Sequence, residues 1–165
     1  MKRLIFVVLA FFFASAACSV GFPRVPRGSG NIVTQSFDVA GFDQIQLDTV
    51  GVVHVEQGDS ESLTIEADDN ILPLLEVNVK DGKLILSAED FATLDPTTTI
   101  TFRVTVKDLS VITVNSSGDV VAESLSGEAL VVHLNASGDV TLESVEVETF
   151  SVSCIGSGDV SVEDL

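Results

Sequence analysis

The sequence predicts an all-β fold: a right-handed parallel β-helix (β-solenoid) of about 20 residues per coil behind a β-rich N-terminal cap. Three observations carry this. The tetrapeptide Ser-Gly-Asp-Val recurs at residues 117–120, 137–140 and 157–160, each 20 residues after the last. Flanking positions keep the same step, as with Leu125, Val145 and Leu165, or Leu134 and Cys154. Within each unit apolar residues alternate with period two: Val120 and Ala122 share one face, and so do Leu130, Val132 and Leu134. That is the spacing of strands, not helices. Ser-Gly-Asp is turn chemistry, with Gly free to take positive φ and Asp able to bond nearby backbone. Coils of this kind would stack equivalent residues about 4.8 Å apart. An antiparallel meander also alternates, but it does not require an identical turn every 20 residues.

The elements follow in chain order. Residues 1–17 read as an export signal. Lys2 and Arg3 precede an apolar run at 4–13, and the small residues Ala14, Ser15, Ala16 and Ala17 follow. The run is too short to span a membrane as a helix, which takes about 20 residues. Ser15-Ala16-Ala17-Cys18 resembles the bacterial lipobox, which implies lipidation at Cys18 and, with Ser19 next, an outer-membrane address. The alternative is ordinary cleavage after Ala16 and a soluble secreted protein. Residues 18–30, with Pro23, Pro26, Gly28 and Gly30, read as a tether. Residues 31–98 read as a cap plus degenerate coils. They hold a Pro73-initiated helical turn near 70–76 and a hairpin in which Asp81-Gly82 joins two alternating segments. Residues 99–165 hold the regular units, in which Cys154 falls in an inward column as a small buried hydrophobe. The sequence stops within a unit, so the expectation is a truncated chain or a covered C-terminal edge. Without a cover the edge invites self-association, which Glu163 and Asp164 discourage.

Composition narrows the function. Eight Lys and Arg face 25 Asp and Glu, a net charge of −17, and no Lys or Arg follows Lys107. Phosphate contact needs those cations, so nucleic-acid binding is excluded. The hydrophobic fraction of 45% separates the chain from disordered acidic tails. There is no Trp or Tyr, which weighs against sites built on ring stacking.

Several motifs together resemble a known family. They are Gly-Ser-Gly-Asn at 28–31, Phe-Asp-Val-Ala-Gly-Phe-Asp at 37–43, Val-His-Val-Glu-Gln-Gly-Asp at 53–59, Ala-Asp-Asp-Asn at 67–70, Asp-Gly-Lys-Leu at 81–84 and the repeated Ser-Gly-Asp-Val. In this order the chain resembles the bacterial putative auto-transporter adhesin head domain, the GIN domain, over residues 30–165. The resemblance implies an exported or lipid-anchored envelope protein with a β-helical body. It carries no catalytic residues to these positions. The segment Val50-Gly51-Val52 departs from the pattern as a Gly-Asp-Val unit without its Asp.

Candidate chemistry is sparse. Asp119, Asp139 and Asp159 should form one ladder and Glu123, Glu143 and Glu163 another. Like charges stacked this closely repel unless bridged, so Ca²⁺ along the ladders is one reading. The simpler reading, which the sequence favours, has each Asp capping its turn and each Glu solvated, with no cofactor. His54 and His133 make no zinc motif. Ser117, Ser137 and Ser157 have no identified base beside them and read as a hydroxyl ladder. A polysaccharide-active β-helix enzyme would want basic groove residues that are scarce here. The expected function is a non-catalytic envelope module, binding an envelope or extracellular polysaccharide or protein. Its stacked outward positions Val121, Thr141, Ser161, Val131, His133, Ser151 and Ser153 would present one acidic face. The alternative is a structural or signalling envelope lipoprotein.

Overall fold

The computed structural model of the chain describes residues 25–89 and 94–165. Residues 1–17, read above as an export signal, Cys18 and the first part of the expected tether lie outside them. Period-two alternation gives strands throughout: β1 (Ile32–Phe37), β2 (Gln44–Leu47), β3 (Val52–Gln57), β4 (Ser62–Asp68), β5 (Leu75–Lys80), β6 (Lys83–Ala88), β7 (Thr101–Val106), β8 (Val111–Val114), β9 (Asp119–Leu134), β10 (Val140–Cys154) and β11 (Val160–Asp164). One turn of 3-10 helix, Leu72–Leu74, contains Pro73. The Asp81-Gly82 hairpin joins β5 to β6, with both turn residues at positive φ (52° and 77°) as a primed turn requires.

All eleven strands share one sheet. β9 organises it. Its first residues, 119–122, pair with β3, and its last, 131–134, pair with β8. β9 therefore belongs to two wings, one ordered β1-β4-β7-β3-β9 and the other β9-β8-β2-β6-β5. Between them its burial alternation breaks at the exposed Ser126, Gly127 and Glu128, where the strand changes wing. β10 follows β9 along its whole length, and β11 pairs with the start of β10. The inward side chains of both wings form one core, including Leu47, Ile65, Leu86, Phe102, Ile112 and Leu130.

The architecture is a nearly closed, barrel-like mixed sheet, which overturns the expected right-handed parallel β-helix. β1–β4, β4–β7 and β5–β6 are antiparallel. The parallel pairs β2–β6, β2–β8, β3–β7 and β3–β9 place Gln44 beside Lys83 and Val111, and Val52 beside Thr101 and Asp119, so no constant coil connects them. Residues 20 apart pair only among β8, β9, β10 and β11, as Val111 with Val131 and Val120 with Val140. The physical reason is that hydrophobic alternation is identical for parallel and antiparallel strands, so pairing order rests on turns and long-range burial.

Candidate functional site

The site begins with the turns that stack β9, β10 and β11. Gly118 packs against the carbonyls of Thr49 and Gly51, where a Cβ would stand 2.7 and 2.8 Å from their oxygens. The Val50-Gly51-Val52 segment thus lies directly beneath the first Ser-Gly-Asp turn, and the Asp119 N–H donates to the Gly51 carbonyl at 2.8 Å. In the next layers the Asp139 N–H donates to Asp119 Oδ1 at 2.9 Å, and the Asp159 N–H to Asp139 Oδ1 at 2.8 Å. Asp119 and Asp139 each accept the backbone of the following layer rather than closing their own turn. Beside them runs an amide ladder: Asn115 Nδ2 donates to Asp48 Oδ1 and Asn135 Nδ2 to Asn115 Oδ1, both at 2.8 Å. Among the described residues no group of three or more His, Cys, Asp or Glu is arranged to hold a metal ion.

Glu123, Glu143 and Glu163 lie exposed on the outer face of the first wing. Strand register adds residues from outside the repeat. Arg103 of β7 pairs with His54 of β3, His54 with Val121, Val121 with Thr141, and Thr141 with Ser161. In the neighbouring row Thr105 pairs with Glu56, and the β3–β9, β9–β10 and β10–β11 registers, carried one position past Val55–Ala122, Ala122–Leu142 and Leu142–Val162, align Glu56 with Glu123, Glu143 and Glu163. A shallow depression of about 360 Å³ opens here, lined by His54, Glu56, Arg103, Glu123 and Glu143 among others. Sequence reasoning missed Glu56 and gave neither Arg103 nor His54 a role. The step from His54 to Arg103 is not a repeat step, and no local signal pairs β3 with β7.

The outward positions do not form one face. Val121, Thr141 and Ser161 face out from the first wing, while Val131 pairs with Ser151 and His133 with Ser153 on the second. The change of wing along β9 separates them. Cys154 stands beside Leu134, and Leu134 beside Val114, as the column predicted. Yet Cys154 is exposed, which corrects its reading as a buried residue. Core positions lose cover in the last layer: Val132 is fully buried, and its neighbour Val152 is 43% exposed.

Other motifs are spent on backbone. Buried Asp68 accepts the N–H groups of Gly30 at 2.6 Å and Thr97 at 3.0 Å. Asp69 accepts Asn31 Nδ2 at 2.8 Å and the Ser29 hydroxyl, and Asn31's amide first, then Ser29, lowers its pKa. Asn70 Oδ1 accepts the Ser29 N–H at 2.8 Å. Glu61 accepts the N–H groups of Gly41 and Phe42 and lies 3.8 Å from Lys107. The Gly41 N–H is the main cause of its lowered pKa, with Phe42 and Lys107 adding to it.

A family model described as "Putative auto-transporter adhesin, head GIN domain" matches residues 41–163. Among solved structures, a putative adhesin from Bacteroides fragilis is 28% identical with a TM-score of 0.77, the match covering 81% of this chain and 63% of that one. A putative lipid binding protein from Parabacteroides distasonis is 16% identical (TM-score 0.66), covering 79% of this chain and 65% of that one. A putative adhesin from the same species is 20% identical (TM-score 0.56), covering 85% and 68%. These last two share the fold alone. The chain spans less than two thirds of the length of the first two structures. No curated protein matches it.

Proposed function

The chain belongs to the family of putative auto-transporter adhesin head GIN domains, and on that premise we propose that it is a non-catalytic, exported envelope module that works by surface contact. One observation carries this reading. The outer face of the first wing is a rigid sheet surface whose charged side chains, Arg103, Glu56, Glu123 and Glu143, meet in one depression yet form no ion pair among the described residues. Side chains held by neighbouring strands and left unpaired are suited to recognition. The Bacteroides fragilis structure, itself a putative adhesin, supports it.

In this reading residues 1–17 direct export, Cys18 carries the lipid, and residues 18–30 form the tether. The tether ends at the Gly28–Asn31 segment that Asp68, Asp69 and Asn70 hold to the domain. The test is retention of envelope components by the full chain from its own cell-envelope extract, compared with a charge-swapped variant, Arg103→Glu. Loss of retention in the variant supports the reading, and no retention by either protein refutes it. Intact mass of the membrane-fraction protein tests the anchor: a diacylated or triacylated N-terminal Cys18 is expected, and an unmodified soluble chain beginning near Ala17 removes it.

A further inference from the structure

The chain spends most of its fixed polar groups on its own structure, as at Asp68, Glu61, Gln57 and the asparagine ladder. The depression on the first wing differs. His54, Glu56, Arg103, Glu123 and Glu143 line it, and among the described residues no side-chain hydrogen bond or ion pair engages any of them. The set is of mixed sign. Three carboxylates offer only acceptors, and the Arg103 guanidinium offers only donors.

Mixed sign decides the chemistry of the ligand. A polyanion would meet three carboxylates on a chain of net charge −17. A polycation would meet Arg103 in the same depression. A neutral ligand dense in hydroxyl groups suits both, because each hydroxyl can donate to a carboxylate and accept from the guanidinium. The two rows add a length scale. Both rows continue past β7 onto β4, as Thr64 and Ser62, but their charged stretch, from Arg103 to Glu163, crosses β7, β3, β9, β10 and β11 one residue per strand, so like positions recur there every ~4.8 Å over about 19 Å. An extended chain of hexoses repeats its hydroxyls at a comparable step.

The geometry points to a neutral, extended hexose polysaccharide as the ligand of this face, lying across the strands with Arg103 and His54 at one end of its track. This rests on reading the face as the contact surface of the module. With no Trp or Tyr to stack on a sugar ring, each sugar contributes little, and affinity grows with the number of sugars engaged.

The two histidines provide the assay. His54 lies in the track, and His133 faces out from the other wing. The imidazole proton resonances of the full-length chain, in detergent if it is lipidated, are followed while neutral gluco-, manno- and galacto-oligosaccharides of one to eight units are added. The expected result is that at least one series shifts His54 and leaves His133 in place. Affinity should rise with length and level off near five units. Arg103→Ala should weaken binding about tenfold or more while its unliganded His133 signal stays native. Polygalacturonate and polylysine serve as charged probes, and stronger binding of either overturns the proposal. So does a set of neutral series that moves neither histidine or both. If the neutral sugars fail while envelope extract is still retained, the ligand class falls and the adhesive reading stands; if both fail, both fall.

Discussion

Replacing Gly138 by Ala isolates what holds the last layers together. Gly138 is buried in the second Ser-Gly-Asp turn, and its φ is not among the positive ones. The cost therefore comes from close approach, not from backbone conformation. An added Cβ would overlap the carbonyl oxygen of Gly118, 2.8 Å from its carbon and 3.1 Å from Ser116 O. These are backbone atoms and cannot swing aside. Relief means lifting one turn off the other, which strains the Asp139 N–H bond to Asp119 Oδ1 and the Val120 N–H bond to Asp139 O, both 2.9 Å. Two weakened bonds at about 1 kcal/mol each, plus about 1–3 kcal/mol for overpacking, give about 3–5 kcal/mol. For a domain of this size that lowers Tm by roughly 10 °C. Gly41→Ala is the control: Gly41 has φ +77° with no atom near the added Cβ, so only the left-handed conformation is charged, about 1–2 kcal/mol. Gly158→Ala, in the outermost layer, should fall between them and guards against a Gly138 variant that does not fold. Equilibrium urea unfolding reads all three. A Gly138→Ala variant as stable as Gly41→Ala would refute the stacking account.

Asp68→Ala should cost about 2–4 kcal/mol, because it orphans the Gly30 and Thr97 amides. Hydrogen exchange should show those two amides losing protection first, and unchanged protection would mean that the carboxylate does not hold the segment. Stability should fall in acid. The folded pKa values of Glu61 and Asp69 lie below their ordinary values of 4.5 and 3.8, so their contribution is full above those values and is lost as pH drops through the lowered ones. Glu61→Gln should flatten that dependence in a urea-midpoint series, and an unaltered slope would contradict it. Because Asp119 and Asp139 already accept backbone N–H groups, melting should be the same in EDTA and in millimolar Ca²⁺. A rise in Tm with Ca²⁺ would restore the cation ladder.

Local signals in the sequence survive in the structure where one turn or one neighbour decides the outcome. Asp81-Gly82 forces a hairpin, and the residues spaced 20 apart from Val120 to Val160 stand side by side. The wrap was not legible, because nothing in alternation says that β3 lies between β7 and β9, or β2 between β6 and β8. Those neighbours come from distant parts of the chain and are chosen by burial of the whole sheet. Cys154 shows the same limit on a smaller scale. Its column is as expected, but burial also requires a strand on its far side, and within the described residues that side is open.

The motifs that carry the family resemblance prove to be mostly structural. Gly-Ser-Gly-Asn at 28–31 is held by Asp-Asp-Asn at 68–70, and Gly28 must be glycine because a Cβ would overlap the Asp68 carboxylate. Asp43 takes the Ser110 hydroxyl and N–H, and Gln57 binds the backbone of Lys107 and Ser126. Such residues identify a fold because they tie distant segments of it together. That says little about a ligand, which must be recognised by side chains the fold does not consume. His54 and Glu56 belong to one of these motifs and are unconsumed, since β3 alternates and sends Val53 and Val55 into the core and these two outward. The candidate contact face therefore extends beyond the repeat that dominates the sequence, onto the irregular strands β3 and β7 beside it, where Arg103 meets the glutamate row.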